Sequence, residues 1–119
     1  MAMPSTSHTV QEHFDKCSPA VRATYARILE AAGKLDPFQQ EEKKTSIHLV
    51  RKSAFAGVAT RKTALILTLK SDRDLTSKRI AKREQASANR WHLEIRLETP
   101  DQVDRELISW LNSAYELAA

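Results

Sequence analysis

Apolar residues recur along this chain with two different periods, and the period changes where the elements change. Thr9-Val10-Gln11-Glu12 is a Thr followed three residues later by Glu, the capping-box pattern, and predicts a short first helix. Residues 1–8 precede that signal and are expected to form a disordered tail. Ser18 is a good N-cap and Pro19 a good first helical residue, because its missing N–H would be unpaired there anyway. Val21, Tyr25, Ile28, Leu29 and Ala32 then follow at helical spacing, and Gly33 is placed to end a helix over 19–33.

After the break at Asp36-Pro37 the period falls to two. Thr45-Ile47-Leu49 alternates with Ser46-His48-Val50, the signature of a half-buried strand. Phe55 to Thr60 and Thr63 to Leu69 read as two more strands, joined by polar links at Arg51-Lys52-Ser53 and Arg61-Lys62. Trp91-Leu93-Ile95-Leu97, alternating with His92-Glu94-Arg96-Glu98, is the cleanest strand. Ser71 to Asn89 is ambiguous. Its residues around Lys78 to Gln85 favour a helix by propensity, but Ile80 is the only large apolar side chain there. A polar edge strand is the preferred reading, since charge protects an exposed edge.

At the C-terminus, Thr99-Pro100-Asp101-Gln102 carries an N-cap, a Pro at the first position and an acid beside the helix dipole. Val103, Leu107, Trp110, Leu111, Ala114 and Leu117 continue as one stripe, which predicts a helix over 100–117. The fold class is therefore α+β. A four- or five-stranded antiparallel meander carries N- and C-terminal helices on one face, within a single domain. That face is expected to hold Ile47, Leu49, Phe55, Leu65, Leu67, Leu93, Ile95 and Leu97.

Composition narrows the function by exclusion. The chain has 119 residues and only two glycines, Gly33 and Gly57, too few and too far apart for a phosphate loop or dinucleotide fingerprint. One cysteine, Cys17, leaves no internal disulfide and fits a reducing, cytoplasmic setting. No apolar run is long enough to cross a bilayer, and the first residues lack the features of a signal peptide. The net charge of +4 is unevenly spread: residues 1–40 are neutral, 41–98 carry +7 and 99–119 carry −3. The basic excess thus belongs to the strands and turns, and the acidic last helix is no basic recognition helix.

With this order of elements the chain resembles the bacterial family of domain of unknown function 5655. The resemblance rests on Thr9-Val10-Gln11-Glu12-His13-Phe14 before Pro19 and on Lys44-Thr45-Ser46-Ile47. It continues through Phe55-Ala56-Gly57-Val58 with Arg61-Lys62, and Trp91-His92-Leu93-Glu94-Ile95-Arg96-Leu97. Its most specific part is Val103-Asp104-Arg105-Glu106-Leu107 with Trp110-Leu111 and Ala114-Tyr115. It covers nearly the whole chain, implies a stand-alone copy of the domain and favours a strand around Arg79 to Glu84. It brings no catalytic residues. Related domains are fused to nucleic-acid-associated modules in some proteins.

Three surfaces are candidates for function. His48 and His92 fall on the sheet face opposite the helices, with Ser46, Glu94 and Arg96. As a site, this group supplies a His base oriented by Glu94 and an Arg96 that holds an anion; as a plain solvated sheet face it looks the same. A basic set, Arg51, Lys52, Arg61, Lys62, Arg79 and Arg83, is the candidate anion-binding surface, although alternate hairpin turns lie at opposite ends of a sheet. Val50, Val58 and Ile66 interrupt the open face with aliphatic side chains, a patch that could support a homodimer or a shallow ligand cleft. His13 and Cys17 share a helix spacing of four, but a structural metal site needs four ligands, so no metal and no cofactor is expected. The preferred function is a non-enzymatic binding or interaction module with a basic sheet region, taking nucleic acid, a protein or another anionic partner. The alternative is a small enzyme or ligand-binding protein using His48, His92, Glu94 and Arg96.

Overall fold

The computed structural model describes residues 17–33, 38–43, 46–72 and 77–118. The expected tail at 1–8 and the short helix after Thr9 lie outside them. Helix α1 (Pro19–Ala32) starts where Ser18 and Pro19 indicate. Ser18 anchors it by its backbone rather than by a side-chain cap, donating its amide to the Lys62 carbonyl at 2.8 Å. The buried stripe is Val21, Thr24, Tyr25, Ile28, Ala31 and Ala32. Tyr25 extends this stripe to the sheet: its hydroxyl donates to Gln40 Oε1 at 2.5 Å. Burial, and then the Glu42 carboxylate, push the phenol well above its usual range.

Six strands follow: β1 (Gln39–Glu42), β2 (Ile47–Val50), β3 (Ala54–Thr60), β4 (Leu65–Ser71), β5 (Ile80–Ser87) and β6 (Arg90–Leu97). Their order in the sheet is β1-β2-β3-β4-β6-β5, every neighbouring pair antiparallel. This corrects the four- or five-stranded meander in two respects. Strand β1 is Gln-Gln-Glu-Glu and exposed throughout, so it has no hydrophobic alternation to betray it. Strand β6 is inserted between β4 and β5, so only β1 to β4 form a meander. The swap follows from side-chain chemistry: β6 has an apolar face to bury, whereas β5 is polar and suits the edge. Two register shifts against β6, together with Lys82 and Arg83, blunt that edge further.

The buried face reads across the strands in rows. Ile47, Val58, Leu67 and Ile95 form one row, and Leu49, Ala56, Leu69 and Leu93 the next. All eight side chains are buried in one core with those of both helices. Between Leu49 and Val50 the register shifts, so that Leu49 faces Ala56, Val50 faces Ala54, and Phe55 is the extra residue of a bulge. Strict alternation cannot bury both Phe55 and Val58, which are three apart; the bulge does. The expectation that Val58 joins Val50 and Ile66 on the open face is thereby corrected. Phe55 turns inward edge-on to Tyr115, ring centroids 5.1 Å apart, and to Phe38 at 6.0 Å.

The expected helix over 100–117 divides in two. Pro100–Gln102 is a single 3-10 turn, and Gln102 Oε1 accepts the amides of Glu98 at 2.5 Å and Thr99 at 3.2 Å. The chain then bends at Val103, and Asp104 caps helix α2 (Arg105–Leu117) by accepting the Leu107 amide at 3.1 Å. Two N-terminal signals in succession, Thr99 and Asp104, were merged by the continuous apolar stripe. No helix among the described residues is long and apolar enough to cross a membrane.

Candidate binding groove on the open sheet face

The strand register also fixes the face turned away from the helices. Glu41, His48, Gly57, Thr68, Glu94 and Lys82 form one row across all six strands. Lys70, His92 and Glu84 form the row beside it, and Ala59, Ile66 and Arg96 the row on its other side. Strand β3 contributes only small residues here: Ala54, Gly57 and Ala59. Taller side chains on β2 and on β4 with β6 stand above them, leaving a trough of about 310 Å³. That volume is at the small end of the range for ligand pockets, roughly 300–1,000 Å³.

Gly57 has a negative φ, so its value is space rather than an unusual backbone. A methyl group added there would stand 3.8 Å from His48 Cδ2 and 3.9 Å from Thr68 Cβ. One wall carries Ser46 and His48, whose Oγ and Nε2 are 3.3 Å apart. The opposite wall carries Thr68, Lys70 and His92. Among the described residues, these three side chains have no hydrogen-bond or ion-pair partner. Each is only half-buried, so each is open to a ligand.

The four open-face candidates separate on this geometry. His48 and His92 both line the trough, but strands β3 and β4 stand between theirs. At a spacing of about 4.8 Å per strand this puts their backbones roughly 14 Å apart, too far to act on one atom. Glu94 lies opposite Thr68 and Lys82 and hydrogen-bonds to neither imidazole. Arg96 lies outside the trough, with its guanidinium 3.6 Å from Glu98 Oε2. The arrangement sets polar side chains on two walls across a floor of small residues. Gly57, Thr68 and Lys70 were missed in the sequence. Their signal was a glycine inside a strand pattern, which marks a close approach.

The six basic candidates do not converge. Arg51 and Lys52 occupy the β2–β3 turn, and Arg61 and Lys62 the β3–β4 turn at the other end of the sheet. Arg51 is engaged internally: it donates to the Tyr115 carbonyl at 3.2 Å and its guanidinium sits 4.2 Å from the centre of the Tyr115 ring. Arg79 is engaged more fully. It bonds Asp104 Oδ1 at 2.8 Å, Glu106 Oε1 at 3.2 Å and the Gln102 carbonyl, and lies over the Trp110 ring. The Arg79 guanidinium, helped by the Leu107 amide, holds the Asp104 carboxyl below the usual carboxylate range. Arg83 pairs with Leu93, on the helix side of edge strand β5.

A family model described as Domain of unknown function (DUF5655) matches residues 10–118. The chain belongs to that family. In this DUF5655 domain the match spans every described element from α1 to α2. No curated protein and no solved structure matches the chain. Among the described residues, no group of three or more His, Cys, Asp or Glu is placed to hold a metal ion. His13, the partner weighed for Cys17, lies outside the described residues.

Proposed function

We propose that the domain is a non-enzymatic binding module whose site is the trough on the open sheet face. The observation that carries this reading is the unpartnered trio Thr68, Lys70 and His92 on one wall of a concavity floored by Gly57. An unpaired ammonium beside free donors is complementary to an anion or an acceptor-rich group. The basic turns are the weaker choice, because Arg51 and Arg79 already hold the two ends of α2 and the remaining cations are dispersed. Nucleic acid is the rival partner, and its phosphates would have to be met by the exposed Arg61-Lys62 turn.

The two partners are told apart by competition at roughly 50 mM salt, where phosphate contacts are strongest. Labelled single-stranded DNA and RNA are followed by anisotropy, and inorganic phosphate by calorimetry, for the native chain, Lys70→Met and the double change Arg61→Ala with Lys62→Ala. The trough reading expects phosphate binding that Lys70→Met abolishes and the turn variant retains. Binding of nucleic acid lost only in the turn variant contradicts it, as does no anion binding at all.

A further inference from the structure

The trough has two walls of different character, and the difference selects a class of ligand. The β4–β6 wall holds Lys70, the one Lys or Arg among the described residues that line the trough, beside Thr68 and His92. The β2 wall carries a polar contact of its own, between the Ser46 hydroxyl and His48 Nε2 at 3.3 Å. Between them the floor is backbone and methyl groups, flat because Gly57 has no side chain and Ala59 only one carbon. Two strand spacings, about 10 Å between backbones, separate the walls, too wide for a lone oxyanion to touch both. Resting on the reading of the trough as the binding site, we propose that it takes a planar ring bearing one anionic group. The anion lies on Lys70, Thr68 and His92, the ring lies flat over Gly57, and the far edge of the ring reaches Ser46 and His48.

Carboxylates on the same face set the limit on this arrangement. Glu94 stands opposite Thr68, Glu84 opposite His92 and Glu41 opposite His48, and a bound anion must contend with all three. The preferred ligand therefore carries a single anionic group held on Lys70. An aryl carboxylate and a nucleoside monophosphate share this chemistry.

Calorimetric titration with 4-hydroxybenzoate, adenosine monophosphate, inorganic phosphate and phenol separates the possibilities. The proposal expects at least one ring-bearing anion to bind about tenfold more tightly than both inorganic phosphate and phenol. Lys70→Met should weaken that ligand about tenfold, the scale of one charge-assisted contact. Gly57→Val should weaken it by a similar factor while leaving inorganic phosphate unchanged. Gly57→Ala, whose methyl group has ordinary clearance, provides a graded, folded intermediate, and melting curves of each variant verify the fold. Inorganic phosphate binding as tightly as the tighter of the two ring anions, or a Gly57→Val protein that binds that ring anion undiminished, overturns the ligand class and leaves the trough as the site. Binding of none of the four overturns both.

Discussion

The helix side and the open side of the same sheet use positive charge in opposite ways. On the helix side Arg51 and Arg79 are spent on structure. Arg51 closes the C-terminal end of α2 over Tyr115, and Arg79 ties the approach to β5 to the N-terminal end of α2 through Gln102, Asp104 and Glu106. On the open side Lys70 has no partner among the described residues and stands over a concavity. A +7 segment in the sequence is therefore a poor guide to where free charge lies. What matters is which cations the fold leaves uncommitted.

The comparison can be broken first at its core. Phe55→Ala should cost about 3–5 kcal/mol in chemical denaturation, because the bulge drives this ring into the Phe38–Tyr115 cluster and the cavity would not close. Gly57→Ala, two residues on but facing the trough, should change stability by under about 0.5 kcal/mol. Equal costs at the two positions would erase the distinction between the faces. Arg79→Ala should come next, at about 1–2 kcal/mol, discounted because its carboxylate partners are half exposed.

The same contact has a pH signature. Asp104 has a depressed folded pKa, so its stabilisation is present above the unfolded value of about 3.9 and is lost as pH falls through the folded value. An acid melting series should therefore lose an increment below about pH 4 that is smaller in Arg79→Ala, where the Leu107 amide alone still holds the carboxylate. Arg51→Met should cost less, about 0.5–1 kcal/mol, for a cation over an aromatic face. Lys70→Met is the sharpest contrast. Stability should stay within about 0.5 kcal/mol of the native chain, while anion binding falls. The smallest expected effect is Glu94→Gln, which should tighten anion binding about two- to threefold by removing a weakly screened like charge.

Much of this architecture was legible in the sequence, and for physical reasons. Both helices carry stripes at a period of 3.6, and β2, β4 and β6 alternate, so seven of the residues expected on the core face are buried by that pattern, and Phe55 of β3 is buried with them at the bulge. Where hydrophobic pattern was absent or misleading, the reading stopped. Strand β1 offers only polar side chains, and its place in the sheet is set by backbone pairing with β2. The β3 bulge shifts the face of every residue before it relative to those after it, and no turn residue announces it. The insertion of β6 between β4 and β5 depends on burial across the whole sheet. The histidines of the open face were found because alternation places them there. Their distance from each other, and the company of Thr68 and Lys70, depend on strand order, which alternation does not specify.

The central claim is that the uncommitted charge of the trough, and not the basic turns, meets the ligand. Amide chemical-shift mapping of the isotope-labelled chain during titration with adenosine monophosphate tests it most directly. The account predicts saturable shifts concentrated at Gly57, Thr68, Lys70 and His92, with the 51–53 and 61–63 turns unmoved. Shifts confined to those two turns, with Gly57 and Lys70 silent, would contradict it.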